Sequence, residues 1–528
     1  MNTMDNFSPR KEDFRFADKN KHLPEVKNQD KPERTWKKIL KSFFKHPATI
    51  VGGVLITFIL LLAFIPPLAS GHKVSDNDTH YAYKLPKADD FEGSGFWDGT
   101  YKKKANEKMY YSLIGIGAAA NDTTGTSFDQ NNYTTSKYNP VKKVGKAYLK
   151  DNTYYRDITL DCYYEVGFAY DLITEDIYQK IVEYESKSGL KVLYPMVDTN
   201  HQYCEDVNDA NIFYFSNGLY PCDSSGKFID VNTGAILDNP KQQSLKIIPN
   251  YLKDSSDSYM YYVQRQGSLQ VRVLYYNYYQ FRHWAEHGGS YFHSPSHLFG
   301  SDAQGFDILA RTSSGVRIPL SLALTVFIIN FIIGTIYGIL EGYYGGKVDF
   351  IMYHITGFLA AIPFIIIATL FYQYFVYRGS ASVFVGLLIT FCFAGWIPYA
   401  SQTRRQIYRF KSREYVFASR LLGANDFRLI SRHIYPNAIG TLITSFVLTI
   451  PAIIFQESGL SFLGIVNFNG TKYTSLGTLI ANGQNTLGSY PHMILLPILA
   501  LSILMIAFNL IGNGLRDAFQ IDRKGKKK

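Results

Sequence analysis

A handful of side chains have the types and spacing to do chemistry. His283, Glu286 and His287 fall within HWAEH. On a helix, two histidines four apart share a face and can hold zinc beside a glutamate base. No third ligand is identifiable and the motif lies in a connector, so these read as ordinary surface histidines, with no metal expected. A phosphate-cradling loop needs GxxxxGK followed by Ser or Thr. The nearest candidate, Gly346-Lys347, has Glu341 at the first glycine position and Val348 after the lysine. ATP hydrolysis within the chain is therefore excluded; no catalytic residue and no cofactor are expected. Glu457 is a carboxylate inside an apolar run, a costly placement unless it faces a bundle interior or water. A partly hydrated interfacial position and a place on a translocation path both remain open for it. Cys162, Cys204 and Cys222 form an odd set without CxxC spacing. A Cys204–Cys222 bridge requires an oxidising compartment.

The elements carrying these groups are concealed by the averages of a 528-residue chain: 46% hydrophobic residues and a mean hydropathy of −0.09 would suit a soluble protein. In fact apolar runs at 48–69, 318–339, 351–375, 383–399, 439–460 and 493–515, charged only at Glu457, flank a very polar middle. The first run is long enough to cross ~30 Å of hydrocarbon, and the set predicts an α-helical integral membrane protein with six transmembrane helices. The net charge of +10 suits basic membrane faces, and with no recognition motif present nucleic acid is not an expected partner. Residues 1–47 are too long and charged for a signal peptide, and Pro66-Pro67 stands where a cleavage site would need small residues. Residues 70–298 hold most of the 41 tyrosines, with strand-like alternation at 268–279 and a helix-like stretch at 174–188. They predict an inserted mixed α/β domain able to bury its own core. Lys and Arg concentrate in 401–437 and after Leu515, which places both regions, and the N-terminus, in the cytoplasm. The expected organisation is a cytoplasmic segment 1–47, a first helix 48–69, an extracytoplasmic domain 70–298, a membrane core 299–515 with five helices, and a basic cytoplasmic tail 516–528.

Two polar stretches are patterned. Ser412–Ala438 reads SREYVFASRLLGANDFRLISRHIYPNA. A helical run from Glu414 to Leu422 is broken by Gly423, which adopts a left-handed conformation cheaply. Asn425 and Asp426 are good N-cap types for a second run, expected to end before Pro436. Two short angled helices with a mixed apolar and basic face result. Upstream, LFGSDAQGFDILARTSSGVRIPLSL leads into the second apolar run. It predicts an interfacial elbow, structural in role, whose Asp and Arg side chains are satisfied by one another or by backbone.

Both stretches resemble the membrane-spanning subunit of binding-protein-dependent ABC importers. That family's cytoplasmic loop reads E-A-A, three residues, G, nine residues, I-x-L-P. Ala418, Ser419, Gly423 and Pro436 match it, while Phe417 replaces the glutamate and His433 and Tyr435 occupy the Ile and Leu positions. The oligopeptide and dipeptide branch writes EYV-x-A-A-x-x-LGA-S-D…RHILPN, which this chain follows more closely. Gly300, Asp302, Gly305, Asp307, Arg311, Gly315 and Arg317 match the branch signature LGTD-x-x-GRD-x-x-SR-x-x-x-G-x-R-x-SL, with Phe306 and Pro319 as departures. ESGLSFLG and AFNLIGNGLRDAF are also similar. The resemblance implies a type I ABC importer fold and a permease subunit for oligopeptides. It further implies a homologous second permease, two ATP-binding subunits and an extracellular substrate-binding protein, all working in a lipid bilayer. ATPase coupling would then fall to Glu414, Ala418, Ser419, Arg420, Gly423, Ala424, Asp426, Arg432 and Pro436. A permease for dipeptides, nickel or another small solute has the same fold. The competing class is a membrane-anchored extracellular binding or adhesion module, which has no need of paired cytoplasmic helices.

Overall fold

The computed structural model describes residues 41–66, 72–123, 134–150, 153–200, 206–211, 214–215, 247–248, 251–286, 288–289, 294–468 and 474–525. Helix α1, Pro47–Phe64, is apolar throughout and starts on a proline whose missing N–H costs nothing in a first turn.

The polar middle then folds as β1 (Thr100–Asn106), α2 (Glu107–Asn121), β2 (Val141–Lys150), β3 (Thr153–Asp161), β4 (Phe168–Ile173), α3 (Glu175–Ser188), β5 (Leu193–Tyr194), β6 (Tyr214–Phe215), β7 (Ile247–Ile248), β8 (Tyr262–Arg265), β9 (Ser268–Leu274) and α4 (Tyr275–Glu286). One antiparallel sheet runs β1-β3-β2, and another runs β4-β9-β5 with β8 hairpinned onto β9. That hairpin turns on Gln266 and Gly267, both at positive φ, the turn whose twist suits paired strands. Helix α3 begins where Thr174 accepts from the Ile177 N–H and ends on left-handed Gly189. The strand expected to run to 279 stops at Leu274 instead. Tyr275, Tyr278 and Phe281 recur at helical spacing and sink into the core behind β9, and that burial selects a helix.

The membrane part comprises α5 (Ile308–Tyr344), α6 (Gly346–Ala360), α7 (Phe364–Phe371), α8 (Val383–Gly395), α9 (Ile397–Lys411), α10 (Glu414–Leu421), α11 (Tyr435–Phe446), α12 (Thr449–Phe462), α13 (Leu476–Gln484) and α14 (His492–Gly525). Among the described residues five helical stretches are long and apolar enough to cross a membrane, and a sixth crossing exists if the bent pair α6 and α7 counts as one. The straight run expected at 351–375 is that pair, bent by 72°. Pro363 forces the break, because it lacks an N–H and pushes its predecessor out of helical geometry. Helices also overrun their expected ends: α5 starts ten residues before Ile318, and α14 continues beyond Leu515 into what read as a tail.

Helix α5 is the organising element. Its 37 residues span about 55 Å, and its middle packs on α8, α12 and α14 through Val316, Leu322, Val326, Leu387, Ile454 and Leu504. Further along, Gly334, Gly338 and Gly342 form a stripe against α9. A Cβ on Gly338 would lie 2.3 Å from the Ala400 carbonyl oxygen, so these glycines allow backbone approach that no side chain would.

Candidate functional site

One end of α5 carries the loop between α9 and α11. Tyr343 donates its hydroxyl to the Asp426 carboxylate and accepts from the Arg420 guanidinium at 3.2 Å, while Lys411 Nζ donates to the Tyr343 carbonyl. Val416, Leu429 and Ile434 close with Tyr343 and Ile407 into a buried apolar cluster. Helix α9 is itself gripped by Arg404, whose guanidinium donates to both Asp349 carboxylate oxygens at 2.6 and 2.8 Å and lies 3.3 Å from Glu341. The loop therefore stands on a fixed base.

Its local form follows from its residues. Glu414 opens α10 at the end where the helix dipole favours an anion. Gly423 takes φ +82°, and the Asn425 side chain accepts from the Arg428 N–H at 2.9 Å. Helix then resumes, but Pro436 does not end it. Residues Leu429–Ile434 widen into a π-turn, the Tyr435 N–H reaching the Ile430 carbonyl, and Pro436 enters as a first-turn residue of α11. Asn437 donates its side-chain amide to the His433 carbonyl at 2.7 Å. The widened turn removes the backbone bond that proline cannot make. Ala418, Arg420, Arg432 and Pro436 are solvent-exposed, and Ser419 and Ala424 partly so. The most prominent features were not among the expected site residues: Leu421, Leu422 and Phe427 are 89%, 88% and 79% exposed. Large apolar residues flanking a helix-breaking glycine were the signal available in the sequence.

At the other end of α5, the segment from His297 to Asp307 is a clamp. Tyr83 N–H donates to the Asp302 carbonyl, Ser301 N–H to the Lys84 carbonyl and Lys87 N–H to the His297 carbonyl, each at 3.0 Å. The chain thus enters and leaves the inserted domain through one neck. Gly300 and Gly305 both have positive φ, and a Cβ on Gly305 would lie 1.8 Å from the Asp78 carbonyl oxygen. Asp302 accepts from the Gln304 and Phe306 N–H groups. Asp307 caps α5 through the Ala310 N–H and accepts from His297 Nδ1 at 2.9 Å. Burial works to raise the Asp307 pKa, but the His297 hydrogen bond and charge hold it below the usual carboxylate range. Of the two expected ways to satisfy these Asp and Arg groups, backbone partners serve Asp302, Asp307 and Arg317, and no Asp–Arg pair forms among them. Arg311 stacks on Phe306, 4.1 Å from the ring, and Arg317 donates twice to the Ala63 carbonyl at the end of α1. Gly315 lies against Leu479 of α13.

Glu457 on α12 is 0% exposed. Its carboxylate accepts from Ser475 at 2.6 Å, Ser461 at 3.1 Å and Ser458 at 3.3 Å. His283 is buried rather than on the surface, and Glu286 pairs with Lys73 at 2.9 Å; His287, Cys204 and Cys222 lie outside the described residues. Among the described residues the trio with metal-ligand proximity is His72, His297 and Asp307, whose candidate ligand atoms lie within 4.8 Å of one another. His72 meets Tyr279 and the Ser296 carbonyl, and His297 Nδ1 meets Asp307, while His297 Nε2 is buried with no hydrogen-bond partner among the described residues.

A bundle of membrane-crossing helices with a large insertion at one end and an apolar-tipped loop at the other defines a multi-pass membrane protein. Residues 316–523 match the family model of the binding-protein-dependent transport system inner membrane component, and residues 34–86 match the N-terminal TM domain of oligopeptide transport permease C. The insertion falls between these matches. The chain is similar to the oligopeptide transport system permease protein OppC of Bacillus subtilis, 36% identical over 43% of this chain and 72% of that one. It is also similar to the dipeptide transport system permease protein DppC of the same organism, 37% identical over 43% and 68% respectively. A third relative, OppC of Haemophilus influenzae, is 36% identical over 42% and 69%. The chain belongs to this family of ABC transporter permeases.

Proposed function

We propose that this chain is one permease subunit of an ATP-driven oligopeptide importer with the type I arrangement, forming half of the path beside a second, homologous permease. Loop 401–437 faces the cytoplasm, as do both termini, and the domain within 70–298 faces outward, where it offers a docking surface to a substrate-binding protein. The distribution of Lys and Arg supports that orientation. Relatives named for oligopeptides and dipeptides support a peptide substrate over nickel.

One observation carries the reading: Leu421, Leu422 and Phe427 project from a loop whose inner side is buried and hydrogen-bonded to the end of α5. An exposed apolar knob on a rigid base suits insertion into a groove on an ATP-binding subunit, with Arg420, Arg428 and Arg432 meeting an acidic rim. Closure of the two ATP-binding subunits would then push on α5 and α9 together. Glu457, tied to Ser475, acts on the path by fixing α13 against α12. The test is co-purification of the ATP-binding subunits with Leu421→Ser/Leu422→Ser/Phe427→Ser. Loss of those subunits from an otherwise folded permease pair supports the assignment, and unchanged assembly contradicts it.

A further inference from the structure

The loop from Phe91 to Gly99 lies where the inserted domain meets the start of α14. Phe91 and Phe96 are 46% and 63% exposed, an unusual display for a polar domain. Trp97 holds φ at 55°, sparsely populated for a bulky residue, and its indole N–H donates to the Leu298 carbonyl. The fixed ring stands edge-on to Phe96 and Phe299 at 5.2 and 5.4 Å. These rings and Leu495 and Leu499 of α14 enclose a groove of about 300 Å³. Leu495 and Leu499 are 59% and 48% exposed on a helix apolar enough to cross a membrane, so the open lip of the groove is an apolar helix face. Aromatic rings at this level belong to the membrane interface.

A second cavity of about 650 Å³ adjoins the groove, sharing Gly95, Asp98 and Thr100 with it, and carries Lys102, Lys142 and Lys143. Its acids are largely committed. Asp161 is paired with buried Lys87 at 2.7 Å, Asp98 accepts from Gly95 and Thr100, and Glu92 meets Lys142 at 3.5 Å. Lys102 and Lys143 are exposed and, among the described residues, have no carboxylate within ion-pair distance. An apolar slot that opens along an apolar helix face and ends at two unpaired lysines has the polarity of a phospholipid with an anionic headgroup. Free phosphate would leave the slot without an occupant.

We propose that this groove binds an anionic phospholipid from the leaflet on the side of the inserted domain. One acyl chain lies along Phe96, Trp97, Leu495 and Leu499, and the headgroup phosphate sits at Lys102 and Lys143. The full-length chain in phosphatidylcholine nanodiscs, doped with acyl-brominated phosphatidylglycerol or acyl-brominated phosphatidylcholine, provides the test. Trp97 fluorescence is isolated as the difference between parent and Trp97→Phe. The site predicts that the brominated anionic lipid quenches Trp97 at a mole fraction roughly 25-fold lower than the zwitterionic one. Each lysine near an anionic surface contributes about a fivefold preference, so Lys102→Ser/Lys143→Ser, changes at exposed positions, should bring the two lipids together. Equal quenching by both lipids in the parent means annular lipid only and overturns the proposal. Absence of quenching, or release of quenching by soluble glycerol phosphate, overturns it as well.

Discussion

Gly423 sets the angle of the loop that we assign to ATPase coupling, and its environment isolates one physical effect. Its φ is +82°, and a Cβ built there meets nothing within 4 Å. Substitution therefore costs backbone conformation and no steric clash. An L-residue forced into the left-handed region costs about 1–2 kcal/mol, whereas asparagine enters it readily. Gly423→Ala should cost about 1 kcal/mol, Gly423→Val about 2 kcal/mol because a branched Cβ is a genuine outlier there, and Gly423→Asn close to nothing. At about 1.4 kcal/mol per factor of ten, the valine variant shifts the turn roughly thirtyfold toward other geometries. The anchored base of Val416, Leu429 and Ile434 stays in place. The assay is peptide transported per ATP hydrolysed in proteoliposomes, with a melting curve of the purified complex as control. Coupling should fall in the order parent, Asn, Ala, Val, with little change in melting temperature. Parent-level coupling in the valine variant, or a loss in Asn as large as in Val, would refute the conformational argument.

At the neck, Gly305→Ala combines positive φ with a Cβ only 1.8 Å from the Asp78 carbonyl oxygen. It should destabilise the purified chain by roughly 3 kcal/mol or more, seen as a lowered melting temperature. Asp78 is buried, which alone would raise its pKa, but hydrogen bonds from His80 and Tyr275 and the Arg282 charge hold it below the usual range. A pKa lower in the folded than in the unfolded state gives stability that is complete above the ordinary aspartate value near ~4 and lost as pH falls through the depressed value. Asp78→Asn should therefore be less stable than the parent at neutral pH, and the gap should close in acid; a gap independent of pH would contradict this. Burial pushes the Cys162 thiol up to about 12, so in the folded chain it should resist maleimide at pH 8 and react only after denaturation, as mass spectrometry would report.

Local structure was legible wherever one residue type decides the backbone. Thr174 opens α3 as the helix-like stretch suggested, and Gly423 and Asn425 define the loop. What escaped reading depends on partners distant in sequence. Ser475 lies eighteen positions beyond Glu457, yet its hydroxyl helps convert an expensive carboxylate into a satisfied one. Arg317 caps a helix that ends at Phe64, some 250 residues earlier. Prolines misled in both directions: Pro363 breaks a run that read as continuous, and Pro436 is absorbed by a π-turn where it read as a stop. The Gly334, Gly338 and Gly342 stripe was written at four-residue spacing and its meaning rests on α9 opposite. Hydropathy marked the apolar segments but not their ends, because helices continue into polar residues wherever neighbours pair them, as Arg404 does with Asp349.

The central claim is that the tip of loop 401–437 contacts an ATP-binding subunit. A photo-crosslinking amino acid placed at Phe427 in the assembled transporter tests it most directly, since that side chain is 79% exposed and contributes nothing to the buried base. Irradiation should join the permease to the ATP-binding subunit, with a yield that changes between nucleotide-free and ATP-bound complexes. Adducts formed only with lipid or with the extracellular binding protein would contradict the account.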